Sequence, residues 1–467
     1  FLYISLQQVS SCRKFVEVDP PNTSINAGNV YTTDATAAAV LTDIYAVMSS
    51  ANSSNEGVTA ITLFAGLSAD DLTLFDLNNN RLASYYRNDL TAILDDHWGA
   101  FYKLIFTTNN ALEGLDASTS LTPAVKQQLF GEAKFIRAFC FFYLVNLFGD
   151  VPLVLDLNYK NNALLPRAPK SQVYNQIVSD LKEAQQLLSA NFLQGDALTP
   201  YDLGSEERVR PTRWSATALL ARTYLYMGDY VQAELEANEI IDHTNLFNLE
   251  SLDHTFLKNN REAIWQLQPV ETGARANTGE GRIFVLPTDG PGGADYPVYL
   301  SDFVVQAFEP GDERKSHWID SVVAGGSTYY YPYKYKVGNM PAPTTEYPTI
   351  LRLAEIYLIR AEARSQLNNI SGAQADIDMI RTRAGLPNTI ATDQGSLLQA
   401  ILHERRVELF TEWGHRWLDL KRTGALDAAM TEVTPIKGNT WEPFQALYPI
   451  PEREVINNPN MVQNPNY

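Results

Sequence analysis

Along much of the chain, large apolar residues return every three or four positions, the period of a helix with one buried face. In "LFGEAKFIRAFCFFYLVNLFGDVPLV", Phe135, Ile136, Phe139, Phe142, Tyr143 and Leu147 keep returning to one side, and Gly149 with Pro152 ends the pattern. Apolar residues also fill the gaps between them. This helix is therefore expected to be buried on more than one side.

"RWSATALLARTYLYMGDYVQAELEANEII" reads as two antiparallel helices joined at Gly228-Asp229, with Ala221, Tyr224, Tyr230 and Ala233 at the contact positions. "LRLAEIYLIRAEARSQLNNISGAQADIDMIRTRAG" repeats the design, with Ala361 and Ala373 at close contacts and Asn368-Asn369 at the turn. Each resembles a tetratricopeptide repeat, a unit that buries its faces only by stacking on neighbours. The predicted fold is mainly α, a scaffold of such helical pairs.

Between the pairs, residues 245–345 lose this period and gain Gly, Pro, Tyr and Asp, as in "PTDGPGGADYPVY". Trp265, Phe284, Trp318 and the tyrosines are too many for a solvated coil, so an ordered, loop-rich insert with short strands is expected. In "STYYYPYKYKVG" the alternation puts Tyr329, Tyr331, Tyr333 and Tyr335 on one strand face and Lys334 and Lys336 on the other, with Pro332 confining the strand to an edge. Ordered loops on a stiff scaffold are where binding residues concentrate.

Among 467 residues, 36 Lys and Arg face 54 Asp and Glu, a net charge of −18 that repels polyphosphate and argues against nucleic-acid binding. There are two cysteines. Cys140 lies in an apolar helix and reads as a buried hydrophobe. The opening "FLYISLQQVSSCRKFVEVDPP" has an apolar run too short to span a bilayer, and it reads as the tail of a signal peptide, residues 1–11. Val9-Ser10-Ser11-Cys12 resembles a bacterial lipobox, which makes Cys12 the lipidated residue and 12–34 a tether; residues 35–467 are expected to form a single domain.

Chemistry-bearing motifs are few. "LHERRVELF" begins like H-E-x-x-H, but position 407 is Val, so no zinc-ligand pair is present. Glu404, Arg405, Arg406, Glu408, Glu412, Arg416, Asp419 and Arg422 are expected to form a partly buried salt-bridge network. Asp70-Asp71 and Asp95-Asp96 read as helix caps or solvated ends rather than a glycosidase pair. No nucleophile elbow, P-loop or dinucleotide fingerprint occurs, and no cofactor, metal or enzymatic activity is expected. In "NNNRLASYYRNDL", Tyr85 and Asn88 fall three apart, with Arg81 one turn earlier. A ring beside an amide and a guanidinium suits a sugar.

Six stretches together carry a family resemblance: "SCRKFVEVDPP", "AKFIRAFCFFYLVNLFGDVPLV", "RWSATALLARTYLYMGDYVQAELEANEII", "LRLAEIYLIRAEA", "HERRVELFTEWGHRWLDLKRTG" and "LYPIPEREVINNPNMVQNPNY". In number, order and spacing they resemble the SusD-like (RagB/SusD) outer-membrane nutrient-binding lipoproteins. The resemblance implies a lipid-anchored protein at the cell surface, partnered with a SusC-like TonB-dependent transporter, capturing oligosaccharide or, in some branches, peptide. A tetratricopeptide-type adaptor with a protein partner is the reading from another class. In starch-binding relatives an aromatic precedes an asparagine by three residues, which marks Tyr85 and Asn88, with Asp71 and Arg81 as hydrogen-bonding neighbours. Tyr296 or Tyr299, after "GPGG", would supply a second wall, while Trp318 is expected to pack in the core.

Overall fold

A computed structural model describes residues 30–50 and 58–467, so Cys12, the signal segment and most of the tether lie outside the described residues. Residues 30–34 of the expected tether are ordered: Val30–Thr32 is a 3-10 turn, Ser118 Oγ donates to Tyr31 O at 2.6 Å, and Asp34 opens the first helix.

Helices dominate, and their ends follow local chemistry. In the first repeat-like pair, helix Arg213–Met227 stops where Gly228 adopts φ +76, a left-handed turn that glycine enters without steric cost. Asp229 then caps helix Tyr230–Ile241 by accepting from Gln232 N. The second pair, Leu353–Gln366 and Ile370–Arg383, turns the same way, with Asn368 at φ +63 and Asn369 accepting from Gly372 N. Ala221, Ala233, Ala361 and Ala373 are fully buried at the contacts, so the helices approach closely.

The pairs form one stack. Helix Trp98–Ala117 packs on the long helix Pro123–Phe148, then follow Lys170–Leu187, the first pair, the second pair and Gln394–Glu408. The long helix is buried all round in its second half, as expected, and Cys140 sits inside it with its thiol pushed well up by burial. The two pairs are joined by Arg222, whose Nε and Nη2 each donate to Glu355 at 2.6 Å in a fully buried bidentate pair. The salt-bridge network also forms: Arg352 reaches Glu262, Glu408 and Glu412, Arg314 reaches Asp312, Glu404 and Glu408, and Arg405 and Arg422 share Asp419.

Among the described residues six short strands form three antiparallel pairs, two of them across long separations. β1 (Leu72–Leu74) runs antiparallel to β3 (Val298–Leu300), β2 (Ala263–Gln266) pairs with β6 (Thr349–Arg352), and β4 (Ile319–Ala324) makes a hairpin with β5 (Ser327–Pro332). The insert is thus stitched to the scaffold by strands outside it. The hairpin turns on Gly325-Gly326, both at positive φ, the geometry of a two-residue turn matched to strand twist.

One expectation for this region is corrected. β5 ends at Pro332, so the four tyrosines do not share a face: Tyr331 and Tyr335 are buried, while Tyr329 and Tyr333 are half-buried. Lys334 points inward. Its Nζ donates to the carbonyls of Glu408 and Phe410, both at 2.8 Å, pairs with Glu412, and lies 4.1 Å from the Phe410 ring centroid; burial draws it down to about 8. Trp318 packs in the core, with Nε1 donating to Leu252 O.

Candidate functional site

The β1–β3 pair has two unlike faces. Leu72, Leu74, Val298 and Leu300 point into the core, while Thr73 and its cross-strand partner Tyr299 point outward. Phe75 N donates to Pro297 O at 2.8 Å, which prolongs the pairing by one residue and puts the Phe75 ring on the outer side. That ring is 44 % exposed. Tyr329, from the hairpin, stands edge-on to both, with centroids 5.1 Å from Tyr299 and 5.8 Å from Phe75 and interplanar angles of 79° and 78°.

The loop after "GPGG" closes against this group. Gly290 has φ +84, and a Cβ there would lie 2.8 Å from Ala324 Cβ and 3.6 Å from the Tyr329 ring, so backbone runs against the hairpin where a side chain would not fit. Gly292 and Tyr296 exchange backbone hydrogen bonds at 2.9 and 3.3 Å, folding the loop tightly and leaving Tyr296 half-buried beside the platform strand. Exposed Asp76, Asp289, Asp295 and Asp302 belong to the segments that carry the rings. The result is a shallow platform of three rings, with exposed carboxylates on the segments that carry them.

The other residues singled out in the sequence fall elsewhere. Tyr85 is 3 % exposed, its ring 4.3 Å from Phe64 and 5.4 Å from Tyr448, and its hydroxyl donates to Asp96 Oδ2 at 2.9 Å. It offers no open face. Asn88 does not share a helical face with it, because helix Asn80–Tyr86 ends first and Asn88 turns to φ +53. Its side chain is buried, donating to Thr434 Oγ1 at 3.2 Å. Arg81 is partly exposed but held, with Nε donating to Asp96 Oδ1 at 2.7 Å and the guanidinium over Phe64.

Asp71 is 3 % exposed, and burial together with the neighbouring Asp70 charge pushes it up to about 6. Asp70 is the opposite case. Burial alone would raise it, but hydrogen bonds and charge from Arg416, with Arg406, hold it at about 2. Neither is a solvated end. Asp95 does cap, accepting from Gly99 N at 2.8 Å at the start of helix Trp98–Ala117.

Of the residues chosen from the sequence, Tyr299 joins the platform and Tyr296 lies in its loop; Phe75 was missed. Its signal was the alternation in "LTLF", which puts Thr73 and Phe75 on one side of a strand. A cleft of about 480 Å³ lies between Trp98, Tyr102, Pro152, Arg453 and Met461, but Trp98 is buried beneath it. Two of its polar groups are already engaged, with Tyr102 donating to Pro152 O and Arg453 paired with Asp95 and Glu454.

Residues 312–467 match the SusD family, and residues 14–225 match a family described as starch-binding associating with outer membrane. SusD-like protein P25 of Formosa agariphila is 24 % identical, over 97 % of this chain and 95 % of its own length. Among solved structures, a laminarin binding SusD-like protein superposes with TM-score 0.76 at 24 % identity, covering 94 % of this chain and 100 % of that one. Surface glycan-binding protein A from Bacteroides fluxus gives TM-score 0.75 at 21 % identity, covering 92 % and 99 %. The stacked helix pairs, the strand-stitched insert and sequence matches at both ends of the chain agree: the chain has the SusD-like fold and is similar to SusD-like proteins along its length.

Proposed function

We propose that this chain is a glycan-binding capture protein of the outer membrane, held on the outer surface by lipid at Cys12, that delivers oligosaccharide to a SusC-like TonB-dependent transporter without cleaving it. The observation that carries the glycan reading is the outward platform of Phe75, Tyr299 and Tyr329. The apolar C–H face of a sugar stacks on such rings while its hydroxyls bond to carboxylates at the margin. A shallow platform binds weakly, at roughly micromolar to millimolar Kd, or about −8 to −4 kcal/mol. Weak binding suits capture, since the ligand must be released to the next protein.

The reading is supported by the matched family's description as starch-binding and associated with the outer membrane, and by neighbours named for binding laminarin and surface glycans. Calorimetric titration with a panel of oligosaccharides, with peptide pools alongside, tests it. Heat from one class of glycan and none from peptides is the expected outcome. Binding to peptides alone would make the chain a peptide-capture protein instead. Co-purification of a large β-barrel protein from membranes tests the transporter partnership, and Cys12→Ala, which should release the chain from membranes, tests the anchor.

A further inference from the structure

Behind the platform, helix Gln394–Glu408 and helix His415–Arg422 enclose a pocket of about 100 Å³. Its lining includes Arg405, Arg406, Arg416 and Asp419, with Leu402 and Ala425 among the apolar walls. Three guanidinium groups around one small cavity is an unusual concentration of positive charge, and their partners do not exhaust it. Arg405 is fully buried and places Nε and Nη2 on Asp419 at 2.8 and 3.1 Å; its Nη1 is buried with no hydrogen-bond partner among the described residues. Arg406 places Nη2 on Asp70 Oδ2 and Phe303 O, and its Nε is likewise buried without a partner.

Arg405, Arg406, Arg416 and Arg422 share the carboxylates of Asp70, Asp419 and Glu362. Each carboxylate is already claimed by guanidinium groups: Asp419 by Arg405 and Arg422, Asp70 by Arg406 and Arg416, Glu362 by Arg422. On the far side of Asp70, burial pushes Asp71 up to about 6 and draws Lys437 down to about 7. Arg405 and Arg406, which both line the cavity, thus each keep a buried N–H without a partner among the described residues. A buried donor without a partner is destabilising, more so on a charged group, so the site favours an occupant that accepts from both.

We propose that this pocket binds one small monovalent anion of halide size, with the free N–H groups of Arg405 and Arg406 as donors. The cavity admits chloride or bromide and excludes a bulky polyhydroxy carboxylate such as gluconate. The site lies directly behind the strand pair: Asp70 precedes β1, its carbonyl accepts from Ser301 Oγ just after β3, and Arg406 donates to Phe303 O at 3.1 Å. The bound anion therefore braces the arginine–Asp70 node from which both platform strands depart. Nothing in this inference rests on the glycan reading.

The test uses the full chain. Sodium gluconate is replaced stepwise by sodium chloride or bromide at constant ionic strength while thermal unfolding is followed, and crystals equilibrated with sodium bromide are measured at the bromine absorption edge. A ligand that binds only the folded state raises the midpoint by mass action, so a saturating rise of roughly 2 °C or more is expected with either halide. One anomalous peak between Arg405 and Arg406 is expected with it. Ala425→Leu, which fills the cavity and leaves every charge in place, should abolish both signals. No bromide peak in the pocket, or a midpoint indifferent to replacing gluconate with halide, overturns the proposal whether or not the variant folds.

Discussion

The ring of Tyr329 stands edge-on to that of Tyr299, centroids 5.1 Å apart at 79°, and this contact joins the hairpin to the strand pair that carries Phe75. Three segments remote in sequence thereby present one aromatic surface. Tyr85, by contrast, spends its ring on Phe64 and Tyr448 inside the core. The two tyrosines should separate under substitution. Tyr85→Ala is expected to cost about 3–5 kcal/mol, the range for emptying a buried aromatic site, and Tyr299→Ala less, about 1–2 kcal/mol, since its side chain is only partly buried. Urea unfolding of both variants checks this, and equal losses would mean that Tyr299 is core as well.

Gly290 offers a probe that leaves every ring atom in place. Gly290→Ala introduces a Cβ 2.8 Å from Ala324 Cβ at a φ of +84, whereas Gly293, at φ +63, has nothing within 4 Å. Both substitutions carry the left-handed penalty of about 1 kcal/mol. Only Gly290→Ala adds a clash beside Tyr329, so it should cost about 1–2 kcal/mol more than Gly293→Ala and weaken glycan retention in an affinity gel. Indistinguishable variants would show that the loop does not bear on the hairpin.

The Arg222–Glu355 pair links the two repeat-like units from within the core. Glu355→Ala leaves a guanidinium buried without its counter-charge, and a loss of about 3–5 kcal/mol is expected. Replacing both residues together, Arg222→Met with Glu355→Leu, should recover much of that loss, because no stranded charge remains. Denaturant midpoints of the single and double variants decide it; a double variant as weak as the single would mean that the pair stabilises beyond mutual neutralisation.

Acid should act through the buried carboxylates. In Asp70 and Glu355, burial would raise the pKa, but Arg416 and Arg406 in one case and Arg222 in the other outweigh it and hold each at about 2. A carboxylate whose folded pKa lies below its unfolded value of about 4 contributes stability that is complete above that value and is lost as pH falls toward the folded one. Unfolding free energy should thus decline steeply between about pH 4 and pH 2. In Asp70→Asn the baseline stability is lower and the decline across that window shallower. Urea midpoints from pH 5 to pH 2 measure both slopes, and parallel curves would remove Asp70 from the account.

The helical scaffold was legible because its signals are local. The 3.6-residue period, Gly228-Asp229 and Asn368-Asn369 each specify their own stretch of chain. The platform was only partly legible. β1 and β3 are three residues each and find one another across nearly half of the chain, so neither carries a period long enough to announce its partner. Tyr85 and Asn88 have the spacing of a shared helical face, but the helix stops at Tyr86 and the backbone turns left-handed two residues later. Lys334 misled for a related reason: strand alternation was extended past Pro332, where β5 ends and the lysine turns inward to Glu412 and the Phe410 ring.

The most direct test of the central claim is calorimetric titration of the chain and of its Phe75→Ala/Tyr299→Ala double variant with the oligosaccharide that binds best in the panel. The account predicts a micromolar to millimolar Kd that weakens at least about tenfold, a loss of ~1.4 kcal/mol or more, with the thermal midpoint nearly unchanged. Undiminished affinity in a folded double variant would contradict it.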